Sequence, residues 1–221
     1  MVSALQALER SIELDPSSAL SQTMSAICIW PGREEASLAA LRRAQDLDPL
    51  NPYVHSVGSL ILDMWGKSDD ALKECRKAID LDGNYLVGLY ALGAIYSRMG
   101  HHDDAIATFV KGVDLSGRAS FYLANLGWGL ARAGQSGKAR AILGELSERA
   151  KKEYVAPLHL AMIVSALGDM DRAFELLDEA VEKRNSWLAV PRMHLFDAFR
   201  DDPRFDEHLK RIDHPDRPPT S

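Results

Sequence analysis

Five glycines stand in one register: Gly32, Gly66, Gly100, Gly134 and Gly168, each 34 residues after the last. Five residues downstream of each comes a small side chain, Ser37, Ala71, Ala105, Ala139 and Ala173. Seven residues upstream is a second small set, Ser25, Ser59, Gly93, Gly127 and Ala161. One period running through most of a chain is the signature of stacked supersecondary units. Each unit in such an array touches only its neighbours, so the 221-residue length says little about the number of domains.

Counted from residue 18, five full units cover 18–51, 52–85, 86–119, 120–153 and 154–187. The third is the clearest. Its first half places Leu89, Leu92, Ile95 and Tyr96 on one side, and its second half does the same with Ala105, Ile106, Phe109, Val110 and Val113. Spacings of three and four mark amphipathic helices. Gly100 lies between the halves, where a left-handed residue ends a helix. Acidic residues follow at once: Glu34 and Glu35, Asp69 and Asp70, Asp103 and Asp104, Asp169 and Asp171. Carboxylates there complement the dipole and the unpaired amides of a helix start. Each unit therefore reads as helix, tight turn, helix. The small residues let two antiparallel helices approach, while Leu41, Cys75, Phe109, Leu143 and Leu177 fill the remaining contacts, again at the repeat period.

These columns resemble the tetratricopeptide repeat, whose pattern has a small residue at place 8 of the unit, an aromatic or large one at 11, alanine at 20, a large apolar one at 24, alanine at 27 and often proline at 32. In the third unit those places hold Gly93, Tyr96, Ala105, Phe109, Gly112 and Gly117. The tryptophan common at place 4 is absent; Ser21, His55, Leu89, Leu123 and Pro157 stand there. The resemblance covers residues 18–187 and implies an all-α, right-handed α-solenoid superhelix of tandem helix-turn-helix repeats.

The two ends depart from the period. Residues 1–17 match only the second half of a unit, with Ala4, Leu8 and Leu14 in its apolar places. An unpartnered second helix exposes an apolar stripe. That stripe fits the tail of a longer protein, a simple cap, or a homodimer contact. Residues 188–212 read as a C-terminal capping segment. Asp202 is placed to cap a helix that begins at Pro203, and Phe205, Leu209 and Ile212 form one stripe suited to closing the last unit. Residues 213–221 are polar and proline-rich and read as disordered. The run Arg200 to Ile212, with Asp202 to Phe205 as its core, is similar to the ending of tetratricopeptide arrays in bacterial regulatory proteins. There the array follows a winged-helix, nucleotide cyclase or protein kinase domain.

Composition excludes several classes. A formal charge of −6 argues against direct nucleic-acid binding. No apolar run approaches the roughly 18 residues of a membrane span. Met1 to Asp15 lacks the basic and apolar blocks of a secretory signal. The two cysteines, Cys28 and Cys75, fall on core positions and read as buried thiols of a reducing compartment, which points to the cytoplasm. Gly134 to Lys138 only superficially suggests a phosphate loop: Arg132 stands where the first glycine belongs, and Ala139 where a Ser or Thr belongs. His101, His102, Asp103 and Asp104 read as a turn and a helix start rather than a metal site, since a structural zinc needs four placed ligands. Neither catalytic residues nor a cofactor are expected.

In the tetratricopeptide family the first helices line a concave groove that faces the partner. The resemblance places Gln22, Trp30, Tyr53, Leu60, Asp63 and Met64 there, then Tyr90, Ser97, Arg98, Phe121, Asn125, Trp128, Arg132, His159 and Met162. Tyr90, Arg98, Asn125, Trp128 and Arg132 combine aromatic anchors, cations and an amide, the mixture that dominates binding hot spots. Members that clamp an acidic chaperone tail use lysines and asparagines at set places. Only Asn125 matches; Tyr90, Ala94, Val155 and His159 stand at the others, so that ligand is not expected. The expected function is a noncatalytic scaffold that holds a protein or extended peptide, as the sensory or assembly module of a bacterial regulator. The alternatives are the C-terminal part of a cyclase or kinase, and a free-standing adaptor.

Overall fold

In the computed structural model, which describes residue 8 and residues 10–28, 33–183 and 193–211, every described glycine of the series ends a helix in the left-handed region. Gly66, Gly100, Gly134 and Gly168 have φ of 73°, 82°, 74° and 91°. At each one the next amide reaches back to the helix. Lys67 N–H donates to the Leu62 carbonyl at 2.9 Å, His101 to Tyr96 at 2.9 Å, Gln135 to Leu130 at 2.9 Å and Asp169 to Val164 at 3.2 Å. This six-to-one bond closes the helix end and turns the chain within two residues, a geometry that favours glycine. Gly32, Trp30, Ala4, Ile212 and the 213–221 tail lie outside the described residues.

The first unit pairs α1 (Ala19–Cys28) with α2 (Glu34–Leu47). The second pairs α3 (Pro52–Met64) with α4 (Ser68–Leu81), and the third α5 (Leu86–Arg98) with α6 (His102–Leu115). The fourth pairs α7 (Ser120–Arg132) with α8 (Ser136–Ala150), and the fifth α9 (Pro157–Ala166) with α10 (Met170–Glu182). A 3-10 turn, His194–Phe196, and α11 (Pro203–Arg211) follow. Among the described residues there is no strand. The first helices of successive units pack on one another, α3 on α5, α5 on α7 and α7 on α9, and each pairs with its own second helix. The result is a two-layered α-solenoid. Before α1, residues 10–14 are helical, and the Ser11 and Ser21 hydroxyls share a hydrogen bond of 2.8 Å.

Helix starts follow the acid pattern. Glu34 and Glu35, Asp69 and Asp70, and Asp103 and Asp104 sit in first turns. Asn51 accepts the Tyr53 amide, and Asp169 accepts that of Arg172, as capping side chains. Asp202 does the same for α11, taking the Arg204 amide at 3.0 Å with Pro203 in the first turn. The small columns are where helices touch. A Cβ on Gly93 would lie 2.5 Å from the Phe109 ring, and one on Gly127 would lie 2.7 Å from Ile163 of the next unit. His55, at the place where the family favours tryptophan, joins the first two units instead. Its Nδ1 lies 2.8 Å from Glu74 Oε1 and its Nε2 2.7 Å from the Pro49 carbonyl, while Gln45 donates to the same Glu74 oxygen. Cys75 is a buried free thiol, which burial pushes up to about 12, so it stays protonated and unreactive.

Gly93→Ala is expected to cost about 1–3 kcal/mol, because the Phe109 ring is enclosed and has little room to retreat. Gly144 lies in α8 with open space around it, so Gly144→Ala should instead stabilise by about 0.5–1 kcal/mol. Thermal denaturation of the two variants should shift in opposite directions.

Candidate functional site

The inner face is built by turn spacing along the first helices. Residues three, four or seven apart on a helix share a side. Tyr90, Ser97 and Arg98 are so brought together on α5, and Phe121, Asn125, Trp128 and Arg132 on α7. Because α5 and α7 are adjacent, the two stripes merge into one surface of rings. Centroid distances run 5.7 Å from His159 to Phe121, 4.8 Å from Phe121 to Tyr90, and 6.3 Å from Trp128 to Phe109. The Arg132 guanidinium lies over the Trp128 ring at 5.3 Å.

This surface is covered by the chain itself. The His194 ring sits between Tyr90 and Trp128, at 5.4 and 4.9 Å. Its Nε2 lies 3.5 Å from Asn125 Oδ1. The amide orientation is set by Asn125 Nδ2, which donates to the Phe121 carbonyl at 2.8 Å, so Oδ1 is left to accept. Three residues on, Asp197 meets Arg98 Nε at 3.3 Å and Arg200 Nη1 at 2.7 Å. Arg98 also binds Asp63 Oδ2 of the preceding unit at 2.6 Å. Two carboxylates and two guanidiniums therefore alternate across the rim. Burial raises both Asp63 and Asp197 above the ordinary carboxylate range, and Arg98 opposes that shift.

Of the residues assigned to the groove from the sequence, Tyr90 and Trp128 are each only 3% exposed. Asn125 and Met162 are also buried, while His159 and Arg98 are half-buried and Arg132 is exposed. Leu60, Asp63 and Met64 are buried, and Tyr53 is half-buried. Trp128 is thus a core side chain, met edge-on by Phe109 and by the tilted ring of His194, rather than an open anchor. Read from the sequence, 188–212 is only a cap for the last unit. The α11 residues Phe205 and Leu209 are indeed buried, and the Phe205 ring lies 5.6 Å from Phe196 and 6.2 Å from Phe199. What the sequence does not show is that residues 193–200 reach the inner face of the third and fourth units. A signal is present in the run Met193 to Phe199, which is too apolar for a solvated connection. Its target is not readable, because Asn125 and His194 stand 69 apart and outside the period.

Among the described residues no three His, Cys, Asp or Glu side chains are arranged to hold a metal ion. Among them, too, no helix is long and apolar enough to cross a membrane. The chemistry offered is recognition by rings, an amide and guanidiniums.

Comparison with known proteins agrees with this architecture. The tetratricopeptide repeat profile matches residues 88–118. No curated protein matches the chain. Among solved structures, the chain is similar to PilW, a widely conserved type IV pilus biogenesis factor. That pair is 19% identical over 83% of this chain and 85% of PilW, with a TM-score of 0.60. TTC0263, a thermophilic tetratricopeptide protein of Thermus thermophilus, is 20% identical over 73% of this chain and 89% of its own, with a TM-score of 0.56. YrrB, a tetratricopeptide protein with an unusual peptide-binding site, is 18% identical over 84% of this chain and 96% of its own, with a TM-score of 0.50. At these identities the likeness establishes a shared solenoid fold.

The burial of the inner face can be checked by truncation. Trp128→Ala should cost about 3–5 kcal/mol, as truncation of a buried tryptophan does, and lower the thermal midpoint; an open anchor would leave it unchanged. The docked ring can be checked by pH. Burial, with Arg98, Arg200 and Arg132 nearby, pushes His194 down to about 3, from an ordinary 6.5. The docked ring therefore stays neutral where a released one would bind a proton. Docking is at full strength above pH 6.5 and weakens as pH falls toward 3. Asp63 and Asp197, raised by burial, act in the opposite sense and offset part of the weakening as pH falls. Between about pH 7 and 5.5, amide exchange at residues 194–199, referred to intrinsic rates, should rise by up to about tenfold. The His194→Phe chain should show no such rise.

Proposed function

We propose that this α-solenoid of tetratricopeptide type is a noncatalytic scaffold whose inner face holds an extended segment of a partner protein. One observation carries the reading. The inner face of α5 and α7 already accommodates a stretch of polypeptide outside the repeats, a 3-10 turn, gripping a ring between Tyr90 and Trp128 and a carboxylate on Arg98. A surface that binds its own chain in this manner has the shape and chemistry for peptide. The residues that would take part are Tyr90, Arg98, Asn125, Trp128 and Arg132, with His159 and Met162 extending the face into the fifth unit. Rings and arginines of this kind supply most of the binding energy at protein interfaces. YrrB, with its unusual peptide-binding site, offers a parallel on the same fold.

The setting we propose is the sensory or assembly module of a bacterial signalling or transcription regulator. Its support is the likeness of the Asp202 to Phe205 ending to those of regulator arrays. Such a module would act in the cytoplasm and bind neither nucleic acid nor membrane directly.

The test is site-specific photo-crosslinking in the native host. A photoreactive residue replacing Arg132, exposed at the rim, should capture a discrete partner. One replacing Gly144, exposed on α8 of the outer layer, should not. Capture at Gly144 alone would move the interface to the outer surface and overturn the groove assignment.

A further inference from the structure

Residues 193–200 engage two different parts of the molecule. In a 3-10 turn, residues three apart share a side. His194 and Asp197 accordingly face the groove, where they meet Tyr90, Trp128 and Arg98. Phe196 and Phe199 face the end of the solenoid, where they meet Phe205 and Phe174. The second set is a ring cluster that holds the C-terminal end together. The first set is smaller, a single ring and a single carboxylate.

The groove side of this contact is an imperfect fit. The His194 to Asn125 approach, at 3.5 Å, is at the limit of a hydrogen bond. On the same stripe of α5, two turns on from Tyr90, the Ser97 hydroxyl is fully buried without a hydrogen-bond partner among the described residues. Native structures leave few such groups unpaired, and each costs about 1–3 kcal/mol. At the rim Arg132 stacks on Trp128, and no carboxylate pairs with it among the described residues. The face that residues 193–200 cover thus leaves the Ser97 hydroxyl unpaired and Arg132 without a direct carboxylate contact among the described residues, whereas a permanent core contact would satisfy them.

We infer that residues 193–200 are an intramolecular stand-in for the groove's partner, and that the partner's bound segment includes a short acidic 3-10 turn of another protein, bearing a ring side chain and, three positions on, a carboxylate. This inference rests on the groove reading above and adds the chemistry of the partner and its competition with the chain's own segment. A tryptophan or tyrosine in the His194 position would fill the same gap between rings and present a hydrogen-bond donor to Asn125 Oδ1. The carboxylate would take the place of Asp197 on Arg98, and further acidic groups would reach Arg132. Tethering gives the resident segment an effective concentration on the order of millimolar. A partner must therefore bind the groove better than the resident does, and the poor fit of His194 is what allows it.

The experiment uses the full chain and three synthetic peptides. One has the sequence of residues 191–201, the second carries His194→Trp in that sequence, and the third carries both His194→Trp and Asp197→Lys. Hydrogen exchange is followed along the unmodified chain. Excess His194→Trp peptide should speed exchange at residues 193–197 at least tenfold while α5 and α7 keep their protection. The unsubstituted peptide should need higher concentrations, and the Asp197→Lys peptide should have no effect. In parallel, a full chain carrying Asp197→Lys should bind the labelled His194→Trp peptide at least tenfold more tightly than the unmodified chain, with unchanged helical circular dichroism. Should that variant fail to fold, exchange on the unmodified chain decides alone. Residues 193–197 as protected as α5 at every peptide concentration would overturn the inference, as would equal competition by the Asp197→Lys peptide. Concentration-dependent dimers that trade these residues between copies would also overturn it, in favour of a second copy as occupant. Capture of a partner at position 132 while residues 193–197 stay protected would remove this inference and leave the groove reading standing.

Discussion

The Phe109 ring lies against two glycines, Gly93 on α5 and Gly129 on α7, and much of the molecule depends on that placement. A Cβ at the first would come within 2.5 Å of the ring and at the second within 2.9 Å. The second helix of the third unit therefore lies against bare backbone on both the helix before it and the helix after it. That contact draws three helices of two units together. It also places the ring edge-on to Trp128, 6.3 Å away, which fixes the tryptophan on the inner face. The packing that closes the solenoid and the packing that forms the floor of its groove are thus one continuous stack of rings, from Phe109 through Trp128 to His194.

On that floor, electrostatics work in two directions. Asp63, Arg98, Asp197 and Arg200 are partly withdrawn from water and form one chain of ion pairs. Removing one member of such a buried set strands its partner, which makes the set sensitive to what occupies the groove. His194 is the opposite case. It enters as a neutral ring among rings and arginines, and protonation works against its remaining there. An imidazolium is disfavoured there outright, whereas for the Asp197 carboxylate the guanidiniums of Arg98 and Arg200 offset part of the cost of burial.

The sequence made a good deal of this legible. The glycine series foretold the left-handed turns because only a residue without a Cβ takes them easily, and the acid pairs foretold the helix starts because unpaired amides attract carboxylates. Gly93 as a point of close approach was legible from its column. Helical spacing put Asn125 and Trp128 on one side of their helix, and it was the resemblance to the tetratricopeptide repeat that set Tyr90 on the same face. Their burial was not legible. It depends on residues 193–200, which belong to no repeat unit and carry no periodic mark. His55 illustrates a smaller limit: it stands where tryptophan is usual, and only its contacts with Glu74 and Pro49 show that a polar link joins the first two units there.

By itself, then, the sequence determined the unit, its turns and its stacking, because each rests on contacts within a unit or between neighbours that recur at one period. Tertiary structure alone decided that the groove is filled, and by which side chains. That contact joins residues far apart in the chain through a single ring and a single ion pair, and no local pattern encodes such a meeting.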